Sequence, residues 1–170
     1  LLTVTNRSYQ FSASNDTVTL DDNATTGDGV SKLSSVSTST PVEFSRPSTS
    51  MTIQTGDGND SLILSAIDSL FAASVLVTGD NGNDQLDASA MTIKVSLQGN
   101  AGADTLRGGS GNDDLNGNSE DDSIDGGAGS DSIQGGAGND VLVGGDGNDT
   151  ILGQGGDDTV TGGLDNDVLD

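Results

Sequence analysis

Cysteine, histidine and tryptophan are absent from this 170-residue chain, and only two prolines and four aromatic residues occur. Without cysteine there are no disulfide staples, no thiolate ligand and no thiol nucleophile. Without histidine there is no imidazole ligand and no usual general base, so a serine triad is excluded. Carboxylate pairs of the kind used in glycoside hydrolysis are plentiful, but the aromatics that would stack a sugar are not. The chain therefore reads as no enzyme. Basic residues are also scarce: five Lys and Arg stand against 27 Asp and Glu, a formal charge of −22. Such a field repels nucleic acid and anionic surfaces and attracts cations. No apolar run reaches the ~18 residues of a membrane span. Leu1-Leu2 is no start context, no signal peptide is visible, and the last residue closes a repeat, so the chain reads as an excerpt of a longer protein.

What is present is a repeat. From Gly99 to Asp170 the chain divides into nine-residue units: GNAGADTLR, GGSGNDDLN, GNSEDDSID, GGAGSDSIQ, GGAGNDVLV, GGDGNDTIL, GQGGDDTVT and GGLDNDVLD. Position 6 is always aspartate: Asp104, Asp113, Asp122, Asp131, Asp140, Asp149, Asp158 and Asp167. Position 8 is always aliphatic, from Leu106 to Leu169. Glycine dominates positions 1, 2 and 4. A polar, acidic tract is also the composition of a disordered linker, but linkers do not hold phase over this length. A folded reading must instead find counter-ions.

Upstream, residues 1–50 are rich in Ser and Thr, with short β-type runs at Leu1–Thr5, Ser8–Ser12, Thr17–Leu20 and Val42–Phe44 separated by turn residues. Tyr9, Phe11 and Phe44 lie here, and this segment is expected to be a β-rich cap over an otherwise open end or the continuation of a preceding domain. Residues 51–98 hold two isolated copies of the repeat, TGDGNDSLI from Thr55 with Asp60 and GDNGNDQLD from Gly79 with Asp84. The starts at 55, 79 and 99 predict wider β-coils that tighten to two units per coil in 99–170. β-rich runs precede each copy at Met51–Gln54, Ser74–Val77 and Thr92–Gln98. Residues 66–73 fit either a strand or one helical turn.

The chemistry of the unit follows from its residue types. Glycine lets the backbone turn sharply with its carbonyls inward, and carbonyl and carboxylate oxygens are what Ca²⁺ takes, six to eight at a time. Positions 7–9 suit a short strand with one side chain inward. If two units make one coil, Asp104, Asp122, Asp140 and Asp158 stack in one column and Asp113, Asp131, Asp149 and Asp167 in the other. Neighbours then stand ~4.8 Å apart and repel by about 1 kcal/mol even in water. One aliphatic per unit is little burial to set against this and against chain entropy. A divalent ion between successive loops turns repulsion into coordination and makes folding metal-linked. An EF-hand is excluded, because no DxDxDG loop is followed at the right distance by glutamate. A threonine ladder of the ice-binding kind is missing from position 3. Lys94 and Arg107 read as surface charges, and Leu142 and Ile151 as core.

These units resemble the RTX (repeats-in-toxin) nonapeptide G-G-x-G-x-D-x-U-x, a calcium-binding parallel β-helix repeat. The resemblance implies an all-β, right-handed parallel β-roll (a β-solenoid) with several calcium ions in its turns. It implies ligands from the position-6 carboxylates, Asp60 and Asp84 included, and from carbonyls of positions 1 to 4. The units carrying every glycine are expected to hold the best sites: Gly108, Gly109, Ser110 and Gly111; Gly126, Gly127, Ala128 and Gly129; Gly135, Gly136, Ala137 and Gly138; Gly144, Gly145, Asp146 and Gly147. Glu120 and Asp165 replace the position-4 glycine, which puts their loops in doubt. The implied role is a calcium-binding structural segment of a secreted or cell-surface bacterial protein, folding as it binds and supporting surface-layer or adhesin architecture. Self-association or contact with cell-surface polysaccharide goes with that role. The alternative is a folding and secretion aid in an exported toxin, protease or lipase.

Overall fold

The computed structural model describes residues 6–10, 17–22, 30–35, 42–45, 50–64 and 74–170, with side chains described for 51–64 and 74–170. The described residues are all β, with no helix. In chain order the strands are β1 (Asn6–Gln10), β2 (Thr17–Asp22), β3 (Val30–Ser35), β4 (Val42–Ser45), β5 (Ser50–Gln54), β6 (Ser61–Leu64), β7 (Ser74–Asn81), β8 (Gln85–Asp87), β9 (Val95–Ala101), β10 (Thr105–Arg107), β11 (Asp114–Ser119), β12 (Ser123–Ala128), β13 (Ser132–Ala137), β14 (Val141–Asp146), β15 (Thr150–Gly155), β16 (Thr159–Leu164) and β17 (Val168–Leu169).

From β5 onward the chain winds between two sheets, one strand to each in turn. The first sheet runs β1-β5-β7-β9-β11-β13-β15-β17 and the second β16-β14-β12-β10-β8-β6-β2-β3-β4. All pairings are parallel except β2 with β3 and β3 with β4. This is a parallel β-roll. Register records the winding: Ser50 faces Ser74, Val75 faces Val95 and Ser96 faces Asp114. Each of these steps is shorter than the one before, and the last spans two nonapeptides. β1 and β2 pair with β5 and β6, adding another rung before the wide coils. The antiparallel β3 and β4 extend one sheet beyond it. β3 covers Val30–Ser35, where no strand is expected from the sequence. Leu1–Thr5, Phe11 and residues 66–73 lie outside the described residues, as do the side chains of Tyr9 and Phe44.

The strands are longer than positions 7–9. In the regular coils they extend through position 3, as in β14, where Leu142 and Gly144 point inward and Val141 faces solvent. Two inward positions per unit, an aliphatic and a glycine, narrow the roll. Through the core runs a stack of single aliphatics, Leu62, Leu86, Leu106, Ile124 and Leu142 on one sheet and Val77, Leu97, Leu115, Ile133 and Ile151 on the other, to which the wide coils add Met51, Ile53, Leu64, Val75, Ala88, Met91 and Val95. Turns are left with positions 4–6 only, which brings the position-6 aspartate beside the inward glycine.

Candidate metal centre

The ten position-6 aspartates form two columns along the flanks of the roll. In one, the backbone N–H of Asp60 donates to Asp84 Oδ1 at 2.8 Å, Asp84 N–H to Asp104, Asp104 N–H to Asp122, Asp122 N–H to Asp140 and Asp140 N–H to Asp158. In the other, Asp113 N–H donates to Asp131 Oδ1, Asp131 N–H to Asp149 and Asp149 N–H to Asp167, at 2.8–3.0 Å. The two isolated copies therefore stand in line with Asp104, Asp122, Asp140 and Asp158. From Asp84 onward each carboxylate uses one oxygen to hold the preceding coil.

The other oxygen is the chemically active one. Oδ2 of Asp84, Asp104, Asp122, Asp131, Asp140 and Asp149 is buried without a hydrogen-bond partner. An orphaned buried acceptor costs about 1–3 kcal/mol, more when charged. Burial first, and the neighbouring carboxylates of the column after it, push Asp84 and Asp122 up to about 7. Burial likewise raises Asp131 to about 6, with its column neighbours adding to it, and Asp104 to about 6, with Glu120 adding. Asp140 is also raised by burial. A second oxygen points into the same space. A Cβ placed on Gly135 would clash with Asp140 Oδ2 and lie 3.0 Å from the Gly153 carbonyl of the next coil. Gly79, Gly126 and Gly144 repeat this arrangement with Asp84 and Gly99, Asp131 and Gly144, and Asp149 and Gly162. Position 1 is glycine because its side-chain space is occupied by two oxygens of unlike origin.

Such a cradle fits a hard cation. Its donors are a carboxylate and carbonyls, the set that calcium prefers. Among the described residues no three Asp, Glu, His or Cys side chains gather in one place, so any ion held here rests largely on backbone. Asparagine at position 6 would supply the same Oδ1 acceptor but would aim an N–H₂ at a carbonyl, and glutamate is one methylene too long.

The loop Gly108–Asp113 differs from the others. Asp113 Oδ2 accepts the Gly109 N–H at 2.8 Å and its Oδ1 accepts the Val95 N–H at 2.8 Å. Both oxygens are engaged, although this unit carries every expected glycine. Val95 takes the place of an aspartate below it, and the chain before Val95 is a wide return, with Ser110 N–H bonded to the Met91 carbonyl. Position 3 elsewhere is turned outward at strand ends. The carbonyls of Asp146 and of Gly155 and Leu164 accept the N–H groups of Gly129, Gly138 and Gly147, so position 3 serves the ladder between coils. The carbonyls of Gly109, Gly127 and Gly145 stack toward the α-carbons of Gly127, Gly145 and Gly163, and those of Gly111 and Gly129 toward Gly129 and Gly147.

Glu120 and Asp165 are accommodated. Their φ values are 72° and 75°, in the compact left-handed region, whereas Gly129, Gly138 and Gly147 at the same position lie at 122–142°. Glu120 Oε2 also accepts the Gly102 N–H of the preceding coil at 2.9 Å. That bond sits beside Ala103, where a second ladder lapses. This ladder, hidden in the sequence, runs through position 5. Asn59 Oδ1 accepts from Asn83 N–H, Asn83 Oδ1 from Ala103, Asp121 Oδ1 from Asn139, Asn139 Oδ1 from Asp157, Asn112 Oδ1 from Ser130 and Asn148 Oδ1 from Asn166. It runs opposite to the aspartate ladder, so each turn is clamped from both sides. Its trace in the sequence is the Asn-Asp pair at positions 5 and 6.

A family model described as RTX calcium-binding nonapeptide repeat (4 copies) matches residues 75–90, 96–124, 116–151 and 134–169, together more than half of the chain. No curated protein and no solved structure matches it. The matched segments hold every position-6 aspartate from Asp84 to Asp167, and the family is one of structural, non-enzymatic repeats. With the parallel roll, its paired aspartate columns and the match agreeing, the chain belongs to the RTX calcium-binding nonapeptide-repeat family.

Proposed function

We propose that this segment binds several calcium ions between successive loops on both flanks and folds as it does so. The observation that carries this is the column of buried, unpartnered Oδ2 atoms, an arrangement too costly to keep without a positive charge. The ions are held by Oδ2 of Asp84, Asp104, Asp122, Asp131, Asp140 and Asp149, each with the position-1 carbonyl of the following coil. The segment stiffens part of a secreted or cell-surface bacterial protein, in which calcium supports a surface layer or an adhesin. Self-association and contact with surface polysaccharide are the partners that fit this role. The acidic surface offers nothing to nucleic acid.

Titrating chelated protein with calcium tests the reading. β-type circular dichroism is expected to rise cooperatively, and Asp122→Asn to lower both the amplitude and the number of ions bound. An unchanged spectrum at millimolar calcium sinks the proposal. Light scattering tests assembly, which a strictly monomeric species at every calcium level would contradict.

A further inference from the structure

The two columns do not end alike, and both ends differ from the middle. At Gly117, Gly126, Gly135 and Gly144, position 1 of the regular coils, the side-chain space is shared by an aspartate Oδ2 and the position-1 carbonyl of the next coil. In the first coil of one column position 1 is Thr55. Its side chain is fully buried, and its hydroxyl donates to the Gly79 carbonyl at 2.9 Å, with the Thr78 carbonyl farther off at 3.3 Å. Gly79 is position 1 of the next coil, so Thr55 takes the carbonyl that the regular cradle offers to a cation. In the other column the first cradle, at Gly108, keeps the same two oxygens, Asp113 Oδ2 and the Gly126 carbonyl, but that Oδ2 is taken by the Gly109 N–H, and Asp113 Oδ1 by the Val95 N–H.

We infer that each calcium column stops, toward the N-terminal coils, at a hydrogen-bond donor of the protein: the Thr55 hydroxyl on one flank and the Gly109 amide on the other. This rests on the calcium reading above. A hydroxyl or amide hydrogen supplies a partial positive charge where the next loops use an ion, and neither needs a metal to form. The inference divides the inter-loop gaps into two kinds. Those opening at Gly79, Gly99, Gly117 and Gly135 on one flank and at Gly126 and Gly144 on the other take ions. Those opening at Thr55 and Gly108 take none. Thr55 is thus a specificity residue, set in the first wide coil of the column and excluding calcium by filling its place.

Calcium counted by equilibrium dialysis with ⁴⁵Ca tests this on the full chain. Thr55→Gly clears the cradle and is expected to bind one ion more than the unaltered protein. Thr55→Ser keeps the hydroxyl and is expected to bind the same number. Equal counts for Thr55→Gly and the unaltered protein, with fewer ions in Asp122→Asn, overturn the inference and leave the calcium reading standing. No calcium bound to the unaltered protein overturns both. A measurement independent of any variant is anomalous scattering from crystals of the unaltered protein grown in calcium. A peak beside the Gly79 carbonyl, or between Gly108 and Gly126, overturns the inference. Peaks confined to the other gaps support it.

Discussion

The wide coils and the regular coils solve the same architectural problem with different means. The coil from Met51 to Leu64 buries Met51, Ile53, Leu62 and Leu64, and the next buries Val75, Val77, Leu86, Ala88 and Met91. From Leu115 on, each coil buries only two aliphatics, Leu115 with Ile124 and then Ile133 with Leu142. Over the same stretch the orphaned carboxylate oxygens accumulate on both flanks instead of one. Apolar burial is scarce where negative charge is dense. The wide coils carry a core of their own, while the regular coils exchange core for ligands. The longer returns are what make the difference, because they add inward side chains that a coil of two nonapeptides has no room for.

Calcium removal is the largest way to test this contrast. At free calcium about 100-fold above the dissociation constant, each site contributes about 2.7 kcal/mol. Chelation is therefore expected to abolish amide hydrogen-exchange protection in β11–β17 while leaving measurable protection in β5, β7 and β9. Uniform loss along the chain would erase the distinction between the regions. Next in size is Gly135→Ala, whose Cβ clashes with Asp140 Oδ2. Overpacking of this kind costs about 1–3 kcal/mol, and one ion is expected to be lost with it. Gly155→Ala is its control: the added Cβ meets only the Gly136 carbonyl at 3.6 Å, so a Tm change of a degree or two is expected.

Acidity separates the two states of the regular coils. Asp84 and Asp122 titrate at about 7 and Asp104 and Asp131 at about 6 in the folded chain, against an ordinary 3.8. Their folded values are raised, so the metal-free fold binds more protons than the unfolded chain. It is favoured fully below pH ~4, and that advantage is lost as pH rises through about 6 to 7. In chelator, structure measured by circular dichroism is expected to increase from pH 7.5 to pH 5. With calcium present the sign reverses, because protons compete for the same oxygens and the calcium midpoint is expected to rise as pH falls. The smallest effect is at the junction. Lys94 Nζ lies 2.7 Å from Asp114 Oδ2, with both side chains about half exposed. Lys94→Gln is expected to cost less than about 1 kcal/mol in chemical denaturation.

Repeat-level features are readable in the sequence, and the junctions are hidden. Phase alone brings Asp104 over Asp122 and Leu106 over Ile124, because a coil of two units admits no other stacking. The tightening of the coils is equally visible in the spacing of the copies. What phase does not carry is what lies below the first loop of a column. Asp113 and Asp131 sit in nearly identical motifs and each receives a backbone N–H on Oδ1, from Val95 and from Asp113, yet only Asp113 also receives one on Oδ2, from Gly109. Thr55 in a glycine position is plain in the sequence, but its hydrogen bond depends on a neighbour 24 residues away. The position-5 ladder is hidden for a different reason. Asparagine there reads as an ordinary turn residue until the coil above it is in place. β3 is hidden because Val30–Ser35 carries no alternation strong enough to separate it from its Ser/Thr-rich surroundings.

The ladder of Oδ1 bonds sets a gauge for length. Each position-6 aspartate from Asp84 to Asp149 receives a bond from the coil before it and offers its own N–H to the coil after, so each interior junction is chemically the same. Removing or adding a pair of units within the regular stretch changes how long the roll is and leaves every remaining junction intact. Removing a single unit moves all downstream loops to the opposite flank, which puts Asp131 and Asp149 in the places of Asp122 and Asp140. The motif survives this exchange, but outward rows on the two sheets, such as Val141 beside Thr159 and Asp114 beside Ser132, change faces. One coil is thus the smallest step by which such a rod lengthens while its two outer faces keep their identity.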